Sequence, residues 1–238
     1  LKALILVGGL GTRLREAVPD RAKPMALVAG KPFLEYLVAW LHEQGFDDVV
    51  LCVGHRAEEI QDHFGDGHCW GVHIAYAVEA TPLGTAGALR NAKRHVTGTI
   101  LVLNGDSYLE LDLRAMLATH RARRAADDRA VGTLAAVRVE DATAGGALEI
   151  DGAGRIGGFR EKDQAGSGWI NGGVYVLEPE VWEAIPEGTQ VSLERETLPH
   201  LLTEGYHLYV CPADGFFVDI GTPQGYRRFE QYVEEKGR

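Results

Sequence analysis

A three-layer α/β/α fold around a mostly parallel, mixed β-sheet is the architecture this sequence predicts. Three observations lead there. Through the first half of the chain, short apolar runs alternate with amphipathic helical stretches. Several of those runs are apolar at every position, as strands buried on both faces are. The chain has 238 residues, 45% hydrophobic and 24% charged, enough to bury a substantial core. That length suits one α/β domain spanning 1–238 better than two.

The elements follow in order. Ala3 to Val7 (ALILV) is a continuous apolar run that stops at Gly8-Gly9 and reads as the first buried strand. From Phe33 to Gln44, apolar residues at 33, 34, 37, 38 and 41 form one helical face, with Gly45 as the stop. Asp48 to Val53 is the next buried strand and Ala57 to Phe64 the next helix. Val72 to Val78 is a strand, Gly84 to Arg94 a helix, and Thr99 to Leu103 a strand leading into Asn104-Gly105-Asp106. The second half changes character. Val131 to Val139, Ala147 to Ile150, Arg155 to Phe159 and Gly173 to Leu177 are strands with few helices between them, as in an appended mixed-sheet region. Asp151-Gly152 between two short apolar runs signals a hairpin. Leu193 to Leu202 and Pro223 to Val233 read as helices around a strand at Leu208 to Cys211. The charge-dense stretch from His120 to Arg129 reads as a solvated helix end and loop. No internal repeat is visible.

Charge and cysteine content narrow the function. With 24 Lys and Arg against 34 Asp and Glu, the formal net charge is −10. Duplex nucleic-acid binders carry a basic footprint, so no nucleic-acid partner is expected. Phosphorylated small molecules remain open, because a few sheltered cations suffice for them. The cysteines, Cys52, Cys69 and Cys211, are odd in number and widely spaced. They form neither a zinc pattern nor a disulfide framework, which fits a reducing compartment. No stretch has the length of a membrane span, and the apolar start is too short for a signal peptide. A cytoplasmic location and no membrane partner are therefore expected. His55, His63, His68 and His73 form no ligand pattern.

The first strand ends in Gly8-Gly9-Leu10-Gly11-Thr12-Arg13. Glycines after a strand let backbone N–H groups approach an anion closely. Arg13 adds a permanent forked cation, and Lys23, ten residues later, adds a second. The loop is neither a P-loop nor a dinucleotide fingerprint: it has no G-K-[ST] ending and no third glycine at the required place. A nicotinamide enzyme is disfavoured on that ground.

Gly8-Gly9-Leu10-Gly11-Thr12-Arg13-Leu14 followed by Lys23-Pro24-Met25 resembles the signature of the sugar-1-phosphate nucleotidyltransferases. The likeness continues through Pro82-Leu83-Gly84-Thr85-Ala86-Gly87, Asn104-Gly105-Asp106, Phe159-Arg160-Glu161-Lys162, Asn171-Gly172-Gly173 and Val218-Asp219-Ile220-Gly221-Thr222-Pro223. It covers nearly the whole chain in order. Ala22 and Asp163 stand where many relatives carry proline, so those two loops are expected to differ in shape. The resemblance implies a Rossmann-like nucleotide-diphospho-sugar transferase fold, with a nucleotide-binding half over about 1–110 and a sugar-phosphate half over about 111–238. It also implies a reaction in which a sugar 1-phosphate oxygen attacks the α-phosphorus of a nucleoside triphosphate and pyrophosphate leaves. Both reactants are anions and the monoester is already ionised near neutral pH. Catalysis there rests on charge neutralisation and alignment rather than on a strong base.

By this resemblance, Arg13 and Lys23 are the catalytic cations. Leu6, Gly8, Gly9, Gly11, Thr12, Arg13, Glu79, Gly84 and Thr85 belong to the nucleotide site. Asn104, Gly105, Glu161, Lys162, Asn171 and Gly172 belong to the sugar-phosphate site, and Asp106 and Asp219 hold Mg²⁺. The residues themselves agree in kind. Asp106 follows a buried strand at the edge where α/β sheets bind ligands, and two hard carboxylates suit an ion that completes its shell with water and phosphate. An isolated aspartate there would more commonly be a cap, which is how Asp112 and Asp214 read.

Glu79, five residues before Gly84, stands where many thymidylyl and uridylyl members have glutamine. An ionised carboxylate only accepts hydrogen bonds. Guanine offers N1–H and N2–H side by side, whereas uracil and thymine offer one N–H between two carbonyls and adenine no N1–H. GTP is therefore the expected donor. Lys31 to Leu37, Ser192 to Glu196 and Gly215 to Pro223 look most like the D-glycero-D-manno-heptose 1-phosphate guanylyltransferase branch, with mannose 1-phosphate as the close alternative acceptor. A uridylyl- or thymidylyltransferase acting on glucose 1-phosphate and a non-catalytic regulatory paralogue are the remaining alternatives. Oligomeric state stays open.

Overall fold

The computed structural model describes residues 1–9, 22–142, 147–160 and 166–237. The amino-terminal part contains strand β1 (Lys2–Leu6), the short strands β2 (Leu27–Val28) and β3 (Lys31–Pro32), helix α1 (Phe33–Glu43), β4 (Asp48–Val53), α2 (Ala57–Phe64), β5 (His73–Val78), α3 (Gly84–Ala92), β6 (Ile100–Asn104) and β7 (Ser107–Leu109). It continues with α4 (Leu113–Ala126), β8 (Ala130–Val139), β9 (Ala147–Ile150), β10 (Ile156–Arg160), β11 (Gly168–Leu177), α5 (Leu198–Thr203), β12 (His207–Ala213), β13 (Phe217–Asp219) and α6 (Pro223–Lys236).

The main sheet has nine strands among the described residues. β5, β4, β1 and β6 lie side by side and parallel. β11 is antiparallel to β6 and to β8, so β8 points the same way as β6, and β12 pairs parallel with β8. The β9–β10 hairpin joins the amino-terminal end of β11 through Trp169 and Ile170. The sheet is mixed, with a parallel majority, as the sequence predicts.

Both faces are covered. Ala3, Ile5 and Val7 of the first run pack with Leu37 and Leu41 of α1, Ile60 and Phe64 of α2, Met116 of α4 and Phe229 of α6. Leu4, Val50 and Val102 point the other way, against Ala86 and Leu89 of α3 and Leu198 and Leu201 of α5. Alternate residues of one strand thus reach opposite helical layers, which is why the run must be apolar throughout.

The structure departs from the sequence reading at two places. The region beyond residue 130 is no appendage: β8, β11 and β12 continue the same sheet. β11 begins at Gly168, five residues before the predicted strand at Gly173, because pairing of Gly168–Asn171 with β8 overrides the weak propensity of Asn171-Gly172-Gly173. The charge-dense stretch is, as read from the sequence, the exposed end of a helix and the turn after it: α4 closes at Ala126 and buries only Leu113, Met116 and His120. Asp112 caps it, accepting a hydrogen bond from Ala115 N–H at 2.9 Å. His120 is satisfied inside the fold by Thr133 Oγ1 at 2.9 Å and Glu178 Oε1 at 2.8 Å.

Candidate active site

The carboxyl ends of β1, β4, β5 and β6 finish level with one another. Val7 N–H extends the β1 ladder to Cys52 O (2.9 Å), Glu79 N–H reaches Val53 O (2.8 Å), and Gly105 N–H reaches Leu6 O (3.0 Å). A cleft of ≈ 320 Å³ opens at this edge, lined by Leu6, Gly8 and Gly9 at the end of β1 and by Asn104, Gly105 and Asp106 at the end of the neighbouring β6. That volume lies within the usual range for small-molecule sites.

Lys23 opens a single 3-10 turn, Lys23–Met25, anchored by the buried side chains of Pro24 and Met25. Its ammonium lies 2.6 Å from Asp106 Oδ2 and 3.9 Å from Asp219 Oδ1. The antiparallel pair β7–β13 makes this meeting possible by setting Asp219 opposite Ser107. Ile220 N–H then donates to the backbone carbonyl of Asp106 at 2.9 Å. Asp219 Oδ1 accepts Gly221 N–H at 2.6 Å, which fixes its carboxylate. A Cβ on Gly221 would stand 2.5 Å from Lys23 Nζ and 2.7 Å from Asp219 Oδ1, so only glycine lets the three charges come this close. The lysine side chain is 11% exposed, whereas the aspartates are 39% and 45% exposed and open to solvent.

The donor set fits a hard divalent cation. Two carboxylates already share one positive charge, and their exposure leaves room for water and phosphate oxygens to complete a shell. Among the described residues no group of three or more His, Cys, Asp and Glu side chains is suited to a metal. An all-protein cage is therefore not what these residues offer.

Across the cleft, Glu79 accepts Leu83 N–H through Oε2 at 2.9 Å. Its other oxygen lies over Gly8, where a Cβ would approach to 2.3 Å. Burial raises the Glu79 carboxyl above the usual range, and the Leu83 hydrogen bond offsets part of that. The amino-terminal turn of α3 is partly capped from within: Val191 O accepts Ala86 N–H at 3.0 Å and Gly87 N–H at 3.4 Å. Thr85 Oγ1 is tied to Glu194 Oε2 at 2.8 Å.

Leu6, Gly8, Gly9, Lys23, Glu79, Gly84, Thr85, Asn104, Gly105 and Asp106, all singled out in the sequence, line this one cleft. Asp219 joins it through Lys23. Asn171 is joined to Asn104 of the lining through the hydroxyl of Tyr175, whereas Gly172 faces Leu109, Ala135 and Val137. Gly11, Thr12, Arg13, Glu161 and Lys162 fall outside the described residues. Gln190 also lines the cleft and went unnoticed in the sequence, as did the links made by Tyr175 and Glu194. The only signal for Glu194 was its place in Ser192 to Glu196; Gln190 and Tyr175 had none, since a loop glutamine and a strand tyrosine read as ordinary structure.

Known proteins resemble this chain in sequence and in fold over nearly its whole length. The sequence profile of the nucleotidyl transferase family matches residues 2–236. A D-glycero-alpha-D-manno-heptose 1-phosphate guanylyltransferase from Aneurinibacillus thermoaerophilus is 35% identical over 236 residues, covering 98% of this chain and 99% of its own. A mannose-1-phosphate guanylyltransferase from Mycobacterium tuberculosis is 38% identical over 229 residues, 95% of this chain, which spans 62% of that protein's length. The crystal structure of HddC from Yersinia pseudotuberculosis complexed with GMP-PN superposes with a TM-score of 0.84 at 30% identity, covering 98% of this chain and 99% of that one.

Proposed function

Because the chain belongs to the nucleotidyl transferase family, we propose that it transfers GMP from GTP to a sugar 1-phosphate, releasing a GDP-sugar and pyrophosphate. The observation that carries this reading is the convergence of Lys23, Asp106 and Asp219 at a cleft walled by glycine backbone. A sugar-phosphate oxygen forms a bond to the α-phosphorus, the bond from that phosphorus to the bridging oxygen breaks, and the electron pair leaves with pyrophosphate. No protein base is required, since the attacking oxygen is already ionised.

The chain's own groups supply position and charge. Gly8 and Gly9 let backbone N–H groups come close to the phosphates. Lys23 neutralises charge that develops on the reacting phosphates, where a sheltered cation is worth most. Asp106 and Asp219 are the residues that would hold Mg²⁺, which neutralises phosphate charge when bound. Arg13 and Lys162, known here only from sequence, are proposed as further phosphate contacts, and Glu161 and Asn171 as sugar contacts.

Glu79 is proposed to read the base, accepting guanine N1–H and N2–H. Oε2 keeps a second acceptor position beside the Leu83 hydrogen bond. Replacing this carboxylate by a carboxamide puts a donor where only acceptors stood. The expected result for Glu79→Gln is a fall of about 100-fold in kcat/KM for GTP, with a relative gain for UTP. Pyrophosphate release measured with GTP, UTP, dTTP and ATP decides this, and a wild type that prefers UTP or dTTP rules the assignment out.

A pH dependence follows. Only the ionised Glu79 can accept both guanine protons, and burial raises its carboxyl. Protonation therefore begins at a higher pH than for an ordinary carboxylate. KM for GTP is expected to rise as pH falls towards the usual carboxylate range, and to stay flat over that interval in Glu79→Gln. Parallel profiles for the two proteins would remove Glu79 from base recognition.

The end-to-end match with the heptose 1-phosphate relative supports D-glycero-α-D-manno-heptose 1-phosphate as acceptor. Mannose 1-phosphate has the same ring stereochemistry and is the second candidate. Initial rates with the two acceptors at equal concentration rank them.

A further inference from the structure

Beside the cleft, a side-chain network joins assigned site residues to two residues with no part in the chemistry above, Tyr175 and Glu194. Tyr175, near the carboxyl end of β11, is fully buried, yet its hydroxyl meets three polar groups. Asn171 Nδ2 lies 2.7 Å away, Asn104 Nδ2 3.5 Å, and Glu194 Oε1 2.9 Å. Glu194 enters from the turn Leu193–Thr197 that precedes α5. Its second oxygen accepts Thr85 Oγ1 at 2.8 Å and Ser192 Oγ at 3.2 Å. Thr85 Oγ1 in turn accepts Leu193 N–H at 2.7 Å.

The polarity of this chain of bonds is forced. A carboxylate accepts and never donates, and a phenol has one proton. The Tyr175 proton must therefore point to Glu194, and the oxygen's lone pairs must face the two amides. Burial first, and the Glu194 charge after it, hold the phenol well above its ordinary range, so that proton stays in place. Each amide is thereby turned with its nitrogen towards Tyr175. Asn171 Oδ1 is held from the other side by Gly173 N–H at 3.0 Å.

We propose that Tyr175 and Glu194 are positioning residues: through the one phenolic proton they fix the orientation of the Asn171 and Asn104 carboxamides assigned above to the sugar-phosphate site. The proposal rests on the acceptor-binding role given above to Asn104 and Asn171. It goes beyond that role in naming what sets the two amides and in coupling them, through Tyr175, to the carboxylate of Glu194.

The test is steady-state kinetics of Tyr175→Phe and Glu194→Gln, with each substrate varied in turn. Tyr175→Phe keeps the buried ring and deletes only the hydroxyl. Glu194→Gln keeps the shape but supplies a group that donates as well as accepts, so the direction of the Tyr175 proton is no longer forced. KM for the sugar 1-phosphate is expected to rise about tenfold in Tyr175→Phe and severalfold in Glu194→Gln, with KM for the triphosphate within twofold of wild type. The double variant is expected to lose no more than Tyr175→Phe alone, because both changes break one relay. A purely structural role would lower the active fraction and leave both KM values alone, or raise both together; either result overturns the proposal. If Tyr175→Phe does not fold, Glu194→Gln decides by the same criterion. Wild-type turnover in the same series reports separately on the proposed reaction. Should the wild type use another triphosphate, the variants are measured with that one, since the relay does not touch the base.

Discussion

Lys23→Ala is expected to lower kcat by about 10²- to 10³-fold while KM for GTP changes little, the range seen when one preorganised charge-stabilising group is lost. The argument starts from burial. The lysine side chain is 11% exposed and its ammonium sits 2.6 Å from Asp106 Oδ2, so its charge acts where solvent screens it poorly. In the resting protein it offsets the two aspartates. When a triphosphate arrives, the same ammonium can turn to phosphate oxygens, and its value grows as charge moves onto the leaving group. An interaction that strengthens along the reaction appears in kcat rather than KM. Removing it also leaves Asp106 and Asp219 facing each other with their shared cation gone. Turnover should therefore fall while affinity for a divalent ion in the absence of substrate rises. Pyrophosphate release at saturating substrate and a metal titration of the resting protein check both halves. A kcat within twofold of wild type in a folded variant would leave Lys23 without its assigned role.

Asp219→Asn has the second largest expected effect. The amide oxygen keeps the acceptor for Gly221 N–H, now made at 2.6 Å, and the shape of the β13 end is preserved. Only the charge is lost. Turnover is expected to fall about 100-fold, and the Mg²⁺ concentration for half-maximal rate to rise by about tenfold or more, at least the loss seen when outer partners of a metal are removed. The rise in required Mg²⁺ distinguishes loss of a ligand from simple damage to the site. An unchanged Mg²⁺ requirement would place the ion on other groups.

Much of the fold was legible because the strands of the first half sit in the middle of the sheet. Leu4 and Ile5 serve opposite helical layers, so the whole run had to be apolar and stood out. The edges and corners were less visible. α4 buries three residues and exposes a surface rich in arginine and alanine, so its periodicity is thin beside its charge. β11 carries Asn171-Gly172-Gly173 in its interior, and only neighbouring strands make that segment extended.

The candidate site was legible where chemistry needs rare residue patterns. Glycines at Gly8 and Gly221 answer close approaches by Glu79 and Lys23, and such requirements leave marks in the sequence. What escaped was contact between ordinary residues far apart in the chain. Thr85 and Glu194 are separated by 109 positions, and no local signal links a helix-start threonine with a glutamate in a later turn. The meeting of Asp219 with Asp106 was expected from the resemblance, and the β7–β13 strand pair is what brings it about.

The central claim is that Lys23, Asp106 and Asp219 gather one guanosine triphosphate for attack by a sugar phosphate. Its most direct test is the product balance of the wild-type protein incubated with GTP and D-glycero-α-D-manno-heptose 1-phosphate, with Mg²⁺ and with excess chelator. One pyrophosphate formed for each GDP-sugar, and neither product when chelator is present, is the predicted result. Release of phosphate instead of pyrophosphate, or undiminished turnover in chelator, would contradict it.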